Sequence, residues 1–189
     1  MTYVFPTFLE ELEARTRIED ALKRHGRGVD RGDWAAVESA YHPGGFEQHG
    51  GYVGPVEGFI EYLKERHSDV IFSSHFVGYV TITFHSADRA VVESYVIGDF
   101  LHPATSPMAT SPHGVRMEAT VRYVDDFRAI DGDWRILNRY VVMGDTKITQ
   151  LDAPVVYPAS CIVQTHDTND FVYQENAKAA REVTERQVA

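Results

Sequence analysis

Residues 25–34 read His-Gly-Arg-Gly-Val-Asp-Arg-Gly-Asp-Trp and place an acid where a helical pattern meets a turn. Asp30 lies four residues after Gly26, so both occupy one stripe of the preceding helix. Glycine inside a helix costs about 1 kcal/mol relative to alanine. Two interpretations explain this cost. The glycine leaves space for a ligand beside Asp30, or it lets the helix pack closely on a neighbouring element. We predict that Asp30 faces a pocket and pairs with His75 from a later strand.

Outward from this stretch, the hydrophobic pattern predicts three helices followed by four long antiparallel strands. The helices are predicted at residues 7–28, 34–41 and 55–67, with an extended piece at 46–52. The strands are predicted at residues 71–85, 90–101, 115–130 and 134–143, and a long loop spans 102–114. Helices on one face of such a sheet give an α+β fold. Strong curvature of the sheet would make it a cone-shaped barrel that encloses a pocket.

Within the first long strand, Phe76 has the same parity as Val80, Ile82 and Phe84. Residues of one parity face one side of a regular strand, which groups these four side chains. Gly78 lies between them and is a candidate position for a β-bulge, where that grouping would change.

A chain of 189 residues is long enough for one well-buried core and an extension. We assign residues 1–148 to the α+β barrel domain and residues 149–189 to a C-terminal extension. Prolines interrupt the first part of this extension, and its end is charged. We expect it to pack on the domain or on a neighbouring subunit, with disorder as the alternative.

The net charge of -10 would repel nucleic acid and anionic membranes, so neither is an expected partner. No stretch approaches the roughly 20 apolar residues of a membrane-spanning helix, and the N-terminus lacks the pattern of a secretory signal. The single cysteine, Cys161, has uncharged neighbours and is expected to be inert. A cytoplasmic location fits this composition, and we expect a small-molecule substrate as the partner.

Asp30 and His75 are the first candidates for chemistry. A histidine that donates one ring N–H to a carboxylate is held in one tautomer, and its other nitrogen becomes a better base. Proton abstraction in a dry pocket needs such a pair. The alternative is that His75 is a buried histidine with a purely structural role.

Arg139 in the last strand is the second candidate, because a cation on an apolar face needs a carboxylate partner or a bound anion. Glu93 lies within another apolar strand. These two residues form either a structural ion pair or part of a ligand site. Tyr95, Tyr123 and Tyr140 are possible hydroxyl donors to a developing oxyanion, with packing as the alternative.

The nine histidines show no metal-binding spacing, neither His-x-His nor His-Glu-x-x-His. A metal site would need His42 and His49, or His102 and His113, to converge in space. The sequence also lacks a glycine-rich phosphate loop and a Gly-x-Ser-x-Gly elbow. We therefore predict no metal and no cofactor.

Six ordered segments, spread over about residues 10–146, resemble the SnoaL-like family of the nuclear-transport-factor-2-like superfamily. They are Ile18-Glu19-Asp20-Ala21-Leu22, Val29-Asp30-Arg31-Gly32-Asp33-Trp34 with Tyr41-His42-Pro43, Ser74-His75-Phe76-Val77-Gly78, Ala90-Val91-Val92-Glu93-Ser94-Tyr95, Arg122-Tyr123-Val124-Asp125-Asp126-Phe127 and Trp134-Arg135-Ile136-Leu137-Asn138-Arg139. The branch that the chain resembles includes scytalone dehydratase, bile-acid 7α-dehydratase and hexachlorocyclohexane dehydrochlorinase.

The resemblance implies a cone-shaped α+β barrel with cofactor-free lyase chemistry, often in trimers. It implies that the base is an Asp–His dyad that corresponds to Asp30 and His75. An arginine of the last strand, matching Arg139, assists some relatives. Several relatives have a tyrosine five residues before the aspartate, where this chain has His25. That phenol is therefore either missing or replaced by His25 in a proton relay.

We predict a cofactor-independent lyase that eliminates water from a small hydrophobic cyclic or aromatic substrate. Isomerisation or retro-aldol cleavage would use the same base. The alternative is a non-catalytic ligand-binding or accessory protein of the same fold. Exposed sheet edges predict a homo-oligomer, with a trimer favoured over a dimer. The predicted catalytic residues are Asp30, His75 and Arg139, and the predicted substrate-binding residues are His25, His49, Tyr52, Glu93, Tyr95 and Tyr123.

Overall fold

The computed structural model describes residues 3–188, with side chains described as far as residue 182. Its elements in chain order are α1 (Phe8–Asp30), α2 (Trp34–Ser39), β1 (Tyr41–His49), β2 (Tyr52–Pro55), α3 (Val56–Arg66), β3 (Phe72–Ser86), β4 (Arg89–His102), β5 (Val115–Ile130), β6 (Asp133–Gln150) and α4 (Phe171–Val188). No helix in the described part of the chain has both the length and the apolar character that crossing a bilayer requires.

The six strands form one mixed sheet in the order β2-β1-β6-β5-β4-β3. β1 runs parallel to β6, and the other neighbouring strands are antiparallel. The predicted α+β class is confirmed, with the helices α1 and α3 on one side of the sheet. The sheet is open and curved, since β2 and β3 end the strand order instead of pairing with each other.

Several element boundaries differ from the prediction. α2 ends at Ser39 because Tyr41 already pairs with β6 as the first residue of β1. The extended piece after it is a hairpin of two short strands, β1 and β2. β6 continues past Met143 to Gln150 alongside β5. Pro55 closes β2 and is the N-cap of α3, not its first helical residue.

Helix α1 begins at a capping box between Thr7 and Glu10. The Glu10 backbone N–H donates to the Thr7 hydroxyl at 3.2 Å, and the Thr7 N–H donates to the Glu10 carboxylate at 2.9 Å. Ile18 and Leu22 of this helix are buried against the sheet, whereas its outer face carries charged residues. The buried stripe continues to Asp30, so the same pattern that buries the helix brings its last acid to the inner side.

Gly26 of α1 packs closely on β3. A β-carbon added at Gly26 would lie 3.6 Å from the Cβ of His75 and 3.8 Å from the Cγ2 of Val77. Both are ordinary contact distances, so a methyl group fits between α1 and β3 and close packing does not require glycine at this position. We expect Gly26→Ala to raise the free energy of unfolding by up to about 1 kcal/mol, because alanine loses less backbone entropy in a helix. Urea unfolding followed by circular dichroism measures this change.

Gly28, one half-turn away, is the matched control. A β-carbon there would lie 2.8 Å from the Cγ2 of Val37 and 2.9 Å from its backbone nitrogen. Gly28→Ala should therefore lower the free energy of unfolding, although the gain in helix propensity is the same. Equal effects of the two substitutions would contradict the packing explanation.

A β-bulge in β3 decides which face His75 occupies. The register of β3 against β4 shifts between Gly78 and Thr81, and Tyr79 between them has φ 48°. On the N-terminal side of the shift, odd-numbered residues such as His75 face the helices. On its C-terminal side, even-numbered residues such as Phe84 do so. The additional residue therefore turns His75 inward while the core side chains of the same strand stay buried.

The same bulge corrects the grouping of Phe76 with the core residues of this strand. Phe76 has the parity of Phe84, yet it is 72% exposed while Phe84 is 2% exposed. The candidate bulge at Gly78 is present, and it moves Phe76 to the outer, convex face of the sheet.

A second bulge lies in β6. Phe127 of β5 pairs with Ile136, and Asp126 pairs with Asn138, so Leu137 is the additional residue. Ile136 and Arg139 are consequently both fully buried although their numbers differ in parity. This shift directs the arginine into the protein instead of towards solvent.

The chain after β6 returns to the end of α1. The Gln164 Nε2 donates to the backbone carbonyl of Ser73 at 2.6 Å, and the His166 Nδ1 donates to the backbone carbonyl of Asp30 at 3.1 Å. Asp170 forms an ion pair with Arg31 at 3.3 Å. This part of the C-terminal segment therefore contacts the backbone that carries the predicted dyad. The division of the chain at residue 148 stays a prediction.

Candidate active site

The inner face of the sheet encloses a cavity of about 180 Å³ beneath α1 and α3. Its size suits a single substituted ring, since an apolar protein cavity of roughly 150 Å³ accommodates benzene. Its apolar wall includes Val96, Phe100, Met117, Val121, Val141 and Met143, and its polar groups include His25, His49, His67, His75 and Tyr123.

Asp30 and His75 meet at one side of this cavity. The His75 Nδ1 lies 2.7 Å from the Asp30 Oδ1, which is within hydrogen-bonding reach. The Asp30 Oδ2 accepts the backbone N–H of His75 at 2.8 Å, and the Ser73 hydroxyl donates to Oδ1 at 2.9 Å. Three donors therefore fix the carboxylate at the end of α1 against the first residues of β3.

The ionisation of Asp30 sets the tautomer of His75. Burial alone would raise the pKa of Asp30, but the hydrogen bonds from His75 and Ser73 bring that pKa below its ordinary value. The carboxylate is therefore charged at neutral pH and accepts the Nδ1–H of His75. This arrangement leaves the lone pair on Nε2, so a proton acceptor is available on a side chain that lines the cavity.

His25 brings a neutral imidazole to the same cavity. It is 2% exposed, and its ring lies 5.6 Å from that of Tyr41 and 6.1 Å from that of Tyr123. Burial, followed by the charge of Arg139, holds the pKa of His25 well below its usual value. Its Nδ1 has no hydrogen-bond partner within residues 3–188. A buried polar atom of this kind is suited to a hydrogen bond with a ligand.

Arg139 lies behind the cavity wall. It is 0% exposed, and its Nε and Nη2 each donate to the Asp125 carboxylate at 2.8 Å. The expected pairing with Glu93 is therefore wrong, because the bulge in β6 places Arg139 directly opposite Asp125. The guanidinium also lies 4.0 Å from the centre of the Tyr123 ring. Arg139 can act on a bound molecule through Tyr123, whereas the predicted direct contact is not present.

Tyr123 is the tyrosine that the structure brings to the cavity. It is 2% exposed, and burial raises the pKa of its phenol, which keeps the hydroxyl protonated. A protonated phenol is a hydrogen-bond donor throughout the ordinary pH range. Tyr140, another predicted donor, is 44% exposed on the outer face of β6.

Three predicted substrate contacts lie elsewhere. In β4 the even-numbered residues face inward, so Glu93 and Tyr95 are on the outer face. Tyr95 is 48% exposed, and Glu93 forms an ion pair with Arg122. Tyr52 directs its hydroxyl to the backbone carbonyl of Pro55, at 2.6 Å, at the start of α3. None of these three residues lines the cavity, so the structure does not bring them together with Asp30 and His75.

His49, at the end of β1, does line the cavity. Its ring lies 5.2 Å from that of Phe59 and 6.2 Å from that of Tyr123. Its Nδ1 lies 3.1 Å from the Oε1 of Glu47, a carboxylate that is 0% exposed. The cavity therefore contains a second pair of imidazole and carboxylate.

The histidines considered for a metal site do not converge. His42 donates from Nε2 to the Arg128 carbonyl at 2.9 Å, and His102 pairs with Asp69 at 2.9 Å. Among the side chains that the structure describes, no group of three or more His, Cys, Asp or Glu residues has an arrangement that could hold a metal ion.

A sequence model of the SnoaL-like domain matches residues 10–140, which is most of the chain. The chain belongs to the SnoaL-like domain family. The family match includes Asp30, His75 and Arg139, and it ends within β6. The segment that contacts Ser73 and Asp30 from the C-terminal side therefore lies outside the SnoaL-like match. No curated protein matches the sequence.

Solved structures share the SnoaL-like fold of this chain. A scytalone dehydratase candidate from Novosphingobium aromaticivorans is 15% identical, with a TM-score of 0.65 over 82% of this chain and 99% of that one. Hexachlorocyclohexane dehydrochlorinase LinA-type3 from Novosphingobium barchaimii is 17% identical, with a TM-score of 0.67 over 80% and 100%. An aromatic ring hydroxylase candidate from Novosphingobium aromaticivorans is 19% identical, with a TM-score of 0.62 over 73% and 94%. At these identities the comparisons establish the fold alone.

Sequence reasoning missed Glu47, Asp125 and His67 as members of the site. Glu47 has a detectable signal, because it precedes His49 by two residues and both therefore face the same side of one strand. Asp125 stands in an otherwise apolar inward series with Tyr123, which is also visible once β5 is assigned. His67 follows the last turn of α3, and its place at the cavity depends on how that helix docks.

His67 makes the stability of the folded protein depend on pH in the acid range. Its ring is stacked on that of His166 at 5.5 Å, and burial lowers its pKa to about 3. The unfolded chain takes up this proton near the ordinary histidine pKa of about 6.5. Protonation between these two values therefore favours the unfolded state, so the folded protein loses stability as the pH falls from about 6.5 towards 3.

We expect His67→Gln to flatten the acid side of the stability profile. In wild type this group alone should lower the free energy of unfolding by about 1 kcal/mol for each pH unit below pH 6. Urea unfolding of both proteins between about pH 4 and pH 7 measures the two slopes. His113→Gln, at an exposed position, should keep the wild-type slope. An unchanged slope in His67→Gln would show that this imidazole is protonated in the folded state.

Proposed function

We propose that the protein is a cofactor-independent lyase in which His75 removes a proton from a small hydrophobic cyclic or aromatic substrate. The observation that carries this proposal is the 2.7 Å contact of Asp30 with His75 at the wall of a largely apolar cavity. A carboxylate fixed by other donors orients the imidazole and stabilises the cation that forms when it accepts a proton.

In the proposed reaction, Nε2 of His75 takes a proton from a carbon next to a carbonyl or a similar activating group. Asp30 balances the imidazolium charge. Tyr123 and His25 hydrogen-bond to the oxygen on which negative charge develops, and Arg139 stabilises Tyr123 from behind. The electron pair then expels a leaving group from the neighbouring carbon. Elimination of water is the favoured outcome, and isomerisation or retro-aldol cleavage would begin with the same step.

The related structures support a reaction of this kind. One carries the name of a dehydratase and another that of a dehydrochlorinase, and both names describe eliminations. Both are less than 20% identical to this chain, so the proposed chemistry rests on the side chains of its own cavity.

Nitrobenzisoxazole is a suitable probe for the proposed base. It is flat and apolar, and removal of its ring C–H proton breaks an N–O bond and releases a coloured phenolate without further help. We expect the wild-type protein to accelerate this reaction with saturation kinetics. Binding of the probe without acceleration would instead favour a non-catalytic ligand-binding protein of the same fold.

We also propose that the protein is a homo-oligomer assembled through the convex face of the sheet, with a trimer favoured. Phe76 is in register with Ile97 on this face, and both are at least half exposed. Tyr95, Tyr140 and Val142 add further exposed apolar surface. Apolar surface of this kind is typical of interfaces, and light scattering of the purified protein measures the subunit number.

A further inference from the structure

The cavity has an imidazole on each of two opposite walls. His49 ends β1, and His75 lies in β3, with β6, β5 and β4 between these strands in the sheet. A curved sheet brings strands that are far apart in its order to face each other across the concave side. Both histidines line the same cavity. A molecule bound there lies between them.

His49 is backed by a carboxylate that solvent cannot reach. The Oε1 of Glu47 lies 3.1 Å from the His49 Nδ1, and its Oε2 accepts the Tyr41 hydroxyl at 2.9 Å. Glu47 is 0% exposed, whereas the His49 side chain keeps 28% of its surface. The carboxylate is therefore inaccessible to a ligand, and the imidazole is the part of the pair that can contact one.

The buried cluster around Glu47 contains two carboxylates and one guanidinium. Arg139 is neutralised by Asp125 through two hydrogen bonds of 2.8 Å. Glu47 is the partner of Arg139 on the adjacent strand, and the Tyr41 hydroxyl lies 3.4 Å from the Arg139 Nη1. The one buried guanidinium therefore faces two buried carboxylates, and the His49 ring is hydrogen-bonded to the second of them. A buried cluster with more carboxylates than cations suits a side chain that presents a proton donor to the ligand.

The opposite pair has a different balance. Asp30 accepts the Ser73 hydroxyl and the backbone N–H of His75 in addition to the imidazole, and its side chain is 12% exposed. These neutral donors stabilise the carboxylate, so its charge does not require an imidazolium beside it. The two pairs therefore differ in their surroundings. Only the carboxylate behind His49 belongs to a buried cluster with more negative than positive side chains.

We propose that His49 is the general acid of this site and protonates an oxygen leaving group, so that the substrate is a β-hydroxy carbonyl compound. This inference rests on the proposed function, in which His75 is the base. Hydroxide leaves poorly unless it receives a proton, whereas halide leaves without one.

The C–H proton moves to Nε2 of His75, and the electron pair of that bond forms the new C=C bond. The C–O bond breaks, and the Nε2 proton of His49 moves to the departing oxygen, which leaves as water. His75 then releases its proton to solvent and His49 takes one up. Glu47 touches no substrate atom and is a positioning residue.

Two probes with different leaving groups test the role of His49. Nitrobenzisoxazole expels a phenolate that needs no proton. The aldol adduct of benzaldehyde and acetone is a β-hydroxy ketone that loses water to give a conjugated enone. We expect His49→Gln to lower kcat/KM for the adduct by about a hundredfold and to change that for nitrobenzisoxazole by less than about threefold. Glu47→Gln should shift the same ratio in the same direction by a smaller factor. His85→Gln, at an exposed position of β3, should leave both rates unchanged.

The outcomes separate this inference from the proposed function. Retained activity on nitrobenzisoxazole shows that a variant is folded with its base intact. Equal losses on both probes, or an unchanged rate on the adduct, would overturn the acid role of His49. Turnover of nitrobenzisoxazole without any turnover of the adduct by wild type would also overturn it and leave His75 as the base. Failure of wild type on both probes would overturn the proposed function itself.

Discussion

Replacement of His75 by alanine should lower kcat/KM for nitrobenzisoxazole by at least about a hundredfold, the contribution typical of a general base. The remaining carboxylate of Asp30 is a poor substitute, because Ser73 and the backbone of β3 still bind both of its oxygens. The rate is read from the absorbance of the released phenolate at substrate concentrations well below KM. Circular dichroism should show an intact fold, since the substitution only shortens one side chain at the cavity wall.

His85→Ala is the matched control, because it removes an exposed imidazole from the same strand. It should keep the wild-type rate. An activity of His75→Ala within about tenfold of wild type would mean that another group removes the proton.

Asp125→Asn should cost about 3–5 kcal/mol of unfolding free energy, because it removes the carboxylate that accepts two hydrogen bonds from the buried guanidinium of Arg139. Both side chains are 0% exposed, so water cannot take the place of the lost carboxylate charge. In a chain of this length such a loss lowers the melting temperature by about 10 °C. Urea unfolding at neutral pH gives the free energy, and thermal melting gives the shift.

Asp99→Asn is the matched control for this prediction. Asp99 pairs with Arg116 on the outer face, where the two side chains are 21% and 46% exposed. Solvent screens such a pair, and its loss should cost less than about 1 kcal/mol. Comparable losses in the two variants would show that burial does not determine the value of the Asp125 pair.

The α+β class and the family could be predicted because they depend on features that repeat along the chain. The periodic apolar residues predicted a helix over residues 7–28, which the structure extends to Asp30, and the alternating strands predicted the sheet. The meeting of Asp30 with His75 depends on folding, and the sequence could offer it only as a hypothesis. In the structure, the His75 Nδ1 lies 2.7 Å from the Asp30 Oδ1, which is the geometry that the hypothesis requires.

The errors about Phe76 and Arg139 share one physical cause. Side-chain parity is reliable only within a regular strand, and both β3 and β6 contain a bulge. The shift at Leu137 gave Arg139 the partner Asp125 instead of Glu93. A bulge forms where the register on each side is fixed by separate packing contacts. Gly78 marked the bulge of β3 in the sequence, whereas no glycine marks the bulge at Leu137.

The additional residue of the bulge at Tyr79 also limits which deletions the protein can tolerate. Deletion of one residue there would exchange the inward and outward faces of residues 72–78. Phe76 would then point into the cavity, and His75 would point towards solvent. Every residue of the proposed proton transfer would still be present, and a sequence alignment would show no loss among them. Relatives that keep all of these side chains but lack the additional residue of the bulge are therefore expected to have no catalytic activity.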